Sequence, residues 1–152
     1  MKRWIVTLAG IALFVTAFFL PAVRSPGTGA GSGPLLGWMC ALVAASATGG
    51  IFRAPGAGIQ GKDVLGIVCL TLSGWVNPLV LFYLVASIWR RLATIRCVLG
   101  AAVLVCLIAT WVFLFKAPMI PLVGHYVWAA GVLLILSGEY FGRIRAQDDK
   151  EL

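Results

Sequence analysis

Few side chains in this sequence have the type and placement to do chemistry. Asn77 stands beside Pro78 near the middle of an uncharged stretch, Val64 to Trp89. An amide there needs a hydrogen-bond partner, because apolar surroundings offer no water. Proline removes a backbone donor and clashes with the preceding turn, so an interruption is expected at this point. Interrupted helices build substrate and ion sites in transporters. The plainer role, and the one expected here, is that Asn77 caps a second half-helix and bonds a neighbouring helix.

His125 and Glu139 bracket the last apolar run. On one helix a separation of fourteen residues is about 21 Å along the axis and within about 40° in direction, so the two cannot touch. Val132 and Leu136 occupy the stripe between them and offer no polar group to relay a proton. Solvated interfacial positions are expected instead, with His125 beside Tyr126 and Trp128 in an aromatic belt and Glu139 pairing with Arg143 at i, i+4.

Cys40, Cys69, Cys97 and Cys106 lie in apolar stretches, with no Cys-x-x-Cys pair and a single histidine in the chain. They read as ordinary buried thiols, not metal or redox sites. Outside the polar tail the only acids are Asp63 and Glu139. There is no nucleotide loop, no convergent Ser-His-Asp set and no pair of intramembrane carboxylates, so neither an enzyme nor a cofactor is expected.

The elements that must position these residues follow from composition. Of 152 residues, 61% are hydrophobic and 11% charged, and the mean hydropathy is +1.01. Soluble domains carry about 25% charged residues, so this chain is expected to be a single membrane domain over residues 1–152. The net charge of +7 comes from Lys and Arg in the gaps between apolar runs, where such residues orient spans and meet anionic headgroups; nucleic acid is not the expected partner.

Five apolar segments appear: 4–23, 35–52, 64–89, 97–115 and 122–141, followed by a polar tail, 142–152. The first has the length and bulky end of an uncleaved anchor, not of a cleaved signal. SPGTGAGSGP, residues 25–34, and RAPGAGIQGKD, residues 53–63, read as loops. Ala41, Ala45 and Gly49 form a weak small-residue stripe in the second segment.

Counting Lys and Arg on either side separates the topologies. Five simple crossings with the N-terminus inside place five inside and seven outside, against the positive-inside tendency. If 35–52 does not cross, Lys2, Arg3, Arg90, Arg91, Arg96, Arg143, Arg145 and Lys150 fall inside, eight against four. If 64–89 instead dips in and returns at Asn77-Pro78, Arg53 and Lys62 join them, ten against two. Each arm of that hairpin would have about thirteen residues, roughly 20 Å of helix, too short to span.

The expectation is an all-α integral membrane helical bundle: four crossings, both termini cytoplasmic, and one further embedded segment, re-entrant or kinked, which is either 35–52 or 64–89. The lipid bilayer is its surroundings, and a membrane protein partner or a second copy of itself its companion. The function expected is that of a small non-enzymatic multi-pass protein, an accessory subunit, an immunity factor or a membrane component of a defence or assembly system, in a bacterial inner membrane. The alternative is an oligomeric transporter or channel using the Asn77-Pro78 break.

Overall fold

The structure is a computed structural model that describes residues 2–24, 33–53, 64–117 and 119–151, with side chains over 4–24, 33–46, 65–89, 91–117 and 119–138. The order is α1 (Lys2–Ala17), β1 (Pro21–Arg24), β2 (Pro34–Leu36), α2 (Gly37–Arg53), α3 (Val64–Ile88), a 3₁₀ turn at Arg90–Leu92, α4 (Ala93–Lys116), β3 (Ile120–Pro121) and α5 (Val123–Glu151). The chain is mostly helical, as an all-α reading requires.

The first apolar run is not helical throughout. α1 stops at Ala17, because Pro21 pushes Leu20 out of helical angles. The amides of Phe18, Phe19 and Leu20 turn to carbonyls three residues back, at 3.1, 3.0 and 3.3 Å, which tightens the last turn. Pro21–Arg24 then runs extended as β1, antiparallel to both β2 and β3 in a small sheet of order β2-β1-β3. Pro34 and Pro121 sit on the two edge strands and Pro21 opens the central one, positions where a missing amide donor disturbs the ladder least. Strands of four, three and two residues are too short to show a period in the sequence.

α3 runs unbroken for 25 residues through Asn77 and Pro78, so the hairpin expected as one alternative for 64–89 does not form. A turn would expose several backbone groups to apolar surroundings, whereas proline inside a continuous helix forfeits one bond, to the carbonyl of Gly74 four residues earlier. The continuous helix is the smaller loss. At about 37 Å it also exceeds the ~30 Å hydrocarbon core.

Two close helix pairs make the core. α1 and α5 run antiparallel and cross at two glycines: a Cβ on Gly10 would lie 2.8 Å from the Ile135 amide nitrogen, and one on Gly131 2.7 Å from that of Phe14. α4 turns back on α3 after the 3₁₀ turn, with Gly100 against Tyr83. Val76, Val80, Val103, Val132 and Ile135 are almost wholly buried where the pairs meet, flanked by Phe14 and Tyr83.

The sheet gathers helix ends. The Gly37 amide donates to the Leu20 carbonyl at 3.0 Å and the Leu122 amide to the Ala22 carbonyl at 2.8 Å, while Leu114 packs on Ala22 and Val23. The end of α1, the start of α2, the end of α4 and the start of α5 therefore share one end of the bundle. α3, antiparallel to α4, starts at that end too. α1, α3, α4 and α5 thus alternate in direction, and α2 and α3 both start at the sheet end. Of the two segments expected not to traverse, 64–89 forms one continuous helix, α3, and 35–52 forms the 17-residue α2.

Among the described residues, two helices are long and apolar enough to cross a membrane, Leu65–Ile88 and Ala93–Lys116, with mean hydropathies of 1.8 and 2.7. The apolar parts of α1 and α5, Trp4–Ala17 and Val123–Gly138, are shorter. α5 continues as helix through most of the polar tail, to Glu151.

Candidate functional site

Ser73 and Asn77 are one helical turn apart and face the same way from α3. Thr110 comes from the last third of α4, and His125 and Trp128 from the first two turns of α5. All five line one cavity of about 330 Å³, walled on the remaining side by Cys40, Ala41 and Ala44 of α2 and by the end of α1. α2 thus closes the site.

One hydrogen bond joins the two helix pairs inside this cavity. Trp128 donates from Nε1 to Oδ1 of Asn77 at 3.0 Å, linking α5 to α3 across 51 residues of chain. Asn77 therefore has its partner on a neighbouring helix, while a capping role lapses because α3 has no second half to cap. Pro78 lies inside the same helix and is not among the residues that line the cavity.

The two hydroxyls are oriented by their own helices. Ser73 donates to the Leu70 carbonyl at 2.7 Å and Thr110 to the Cys106 carbonyl at 2.9 Å. A hydroxyl whose proton is committed in this way keeps only its acceptor lone pairs for anything else. The cavity consequently offers acceptors at Ser73 and Thr110 and amide donors at Asn77.

His125 departs from its expected solvated position, for it is only 7% exposed. Its Nε2 is covered and has no hydrogen-bond partner among the described residues. The ring stands edge-on to Trp111, centroids 4.9 Å apart at 74°, and tilted against Trp128 at 5.3 Å. Tyr126 is more than half exposed, with its ring 5.6 Å from Trp111. The cause is the sheet: β3 ties the residues just before α5 to β1, which tucks the first turn of α5 beneath the end of α4.

Glu139 lies on α5, but its side chain, and with it the expected pairing to Arg143, is outside the described residues. The structure does not bring His125 and Glu139 together, since both lie on one uninterrupted helix. Asn77 and His125, far apart in sequence, do come together, on either side of Trp128. Sequence reasoning missed that convergence, and it missed Trp111, Thr110 and the burial of Arg96, which is 7% exposed in the first turn of α4 and not in a flanking loop.

Among the described residues no charged side chain lines the cavity, and no group of three or more His, Cys, Asp or Glu is placed to hold a metal. The Ser73 hydroxyl is directed to a backbone carbonyl of its own helix and not to an imidazole. Compared with protein families, with curated proteins and with solved structures, the chain shows no match.

Proposed function

We propose that this chain is a non-enzymatic integral membrane protein that crosses the bilayer four times, with both termini cytoplasmic, and acts by offering a helix face to a partner membrane protein. The observation that carries the reading is the outward surface of α3 and α4. Only 17% and 28% of their most apolar stretches are buried inside the protein, and Trp75, Leu81, Phe82, Ile108 and Phe115 all point outward. The core helix of a soluble protein is mostly covered, and a contiguous apolar surface of this kind in water drives association. In a bilayer the same surface is at rest against lipid and open to another helix.

Helix direction supports the crossing number. Four alternating helices return the chain to its starting side, and with α2 not traversing the Lys and Arg residues divide eight inside to four outside. The short apolar part of α1 is extended by Phe18 to Val23, which continue it towards the sheet end. An accessory subunit, an immunity factor or a component of a defence or assembly system, in a bacterial inner membrane, fits this description.

Gentle-detergent purification from the native host, with the mass of the intact complex, tests it. A stoichiometric partner protein is the expected result; full activity in a purified, partner-free preparation refutes it. The cavity favours a second reading, a self-associated transporter whose path passes Asn77. Proteoliposome flux that falls in Asn77→Leu would establish that reading in place of the first.

A further inference from the structure

We propose that the cavity lined by α2, α3, α4 and α5 binds one uncharged amphipathic alcohol, a molecule with a hydroxyl head and a compact or folded hydrocarbon body. Three features of the site set this class, and they hold whether or not a partner protein exists.

Size is the first. A cavity of about 150 Å³ accepts benzene. The 330 Å³ here is roughly twice that, which corresponds to about twelve heavy atoms. A whole phospholipid would leave most of its atoms outside.

Charge is the second. No charged side chain among the described residues faces the cavity. An ionised head left without a counter-charge in such surroundings costs several kcal/mol, which excludes carboxylates, phosphates and ammonium heads.

Hydrogen-bonding pattern is the third. Ser73 and Thr110 have their protons committed to backbone carbonyls and are left as acceptors. Asn77 has its oxygen occupied by Trp128 and is left with amide donors. His125, more than nine-tenths buried and lining the same cavity, has Nε2 without a partner. A ligand carbonyl would satisfy only the donors and a hydrocarbon would satisfy nothing. A hydroxyl both donates and accepts, so it matches this mixed set and pairs with either neutral tautomer of the imidazole. Nε2 is covered by protein, so contact with the head requires the imidazole, packed against Trp111 and Trp128, to rotate. The hydrocarbon body then lies against Ala41, Phe113 and Leu114.

The test uses the full chain purified in detergent and native mass spectrometry after incubation with n-decanol, n-decane, decanoate or decylammonium. One saturable n-decanol per chain is expected, with little retention of the other three. His125→Phe, which keeps the ring volume, should lower occupancy about tenfold, the value of one buried hydrogen bond. Ala41→Phe, which fills the cavity from α2, should abolish binding and serves as the second variant if His125→Phe does not fold. Equal binding of n-decane, equal binding of decanoate, or n-decanol binding unchanged by Ala41→Phe would overturn the proposal. Its failure is distinct from failure of the membrane reading, which would show as a chain that stays dispersed without detergent.

Discussion

The α1–α5 crossing makes a prediction whose sign runs against helix propensity. Replacing glycine by alanine inside a helix stabilises by roughly 1 kcal/mol when nothing else changes. At Gly131 the new Cβ would lie 2.7 Å from the Phe14 nitrogen, 3.0 Å from the Gly10 oxygen and 3.0 Å from the Phe14 Cα. Ordinary contact begins near 3.5 Å, so the shortfall is as much as about 0.8 Å against 2.7 Å. The atoms struck belong to backbone, so no rotamer change relieves the overlap and the helices must separate. Moving packed surfaces apart by 0.5–1 Å forfeits about a quarter to a half of each dispersion contact. Phe14, Val132 and Ile135 line this seam, so the cost falls at the upper end of overpacking, about 3 kcal/mol. Net of propensity, Gly131→Ala should destabilise by about 2 kcal/mol. Gly10→Ala should behave alike, and the double variant should cost only about 1 kcal/mol, less than either single one, because one separation relieves both overlaps while the propensity gain counts twice. Gly100→Ala is the control: its Cβ would meet Tyr83 at 3.5 Å and Leu136 at 3.7 Å, ordinary contacts, so it should stabilise by up to about 1 kcal/mol. Reversible unfolding of the purified protein in mixed micelles measures all four. A stabilised Gly131→Ala, or additive costs in the double variant, would refute the reasoning.

Other outcomes follow from the same structure. A double-mutant cycle between Asn77→Leu and Trp128→Phe should show a coupling of about 1 kcal/mol, the worth of the hydrogen bond between the pairs; additivity would remove it. Ile135→Ala, at a site 1% exposed, should cost about 2–5 kcal/mol, whereas Ile108→Ala, 63% exposed and facing outward, should cost under about 1 kcal/mol in micelles. Reporter fusions after Gly33, Gly58 and Ala117 should read out on one side of the membrane and a fusion after Thr94 on the other. A Gly58 fusion that reports with Thr94 would show that the second segment crosses.

Much of the architecture was legible in the chain because it is written in local composition. Uncharged runs marked α2, α3 and α4 close to their observed bounds, whereas α5 runs ten residues past 141, to Glu151. α1 ended early because the run Trp4 to Val23 carries Pro21 near its end, and an apolar strand has the same composition as an apolar helix. The Asn77-Pro78 pair was visible as a perturbation, but its outcome depended on what surrounds it. With α4 and α5 packed alongside, a continuous helix forfeits fewer bonds than a turn.

The site was legible only in parts. Asn77 and His125 stood out because amides and imidazoles are rare in apolar runs, yet nothing local could join them. Their meeting depends on Trp128 reaching α3 from α5 and on β3 pinning the start of α5 beneath α4. Those are relations between segments tens of residues apart, fixed by packing and by the close glycine crossing. By itself the sequence determined that the chain is apolar and helical and where charge interrupts it, because burial preference and backbone propensity act residue by residue. Tertiary structure alone decided which helices pair and which polar side chains share a cavity, because both depend on which helix lies against which.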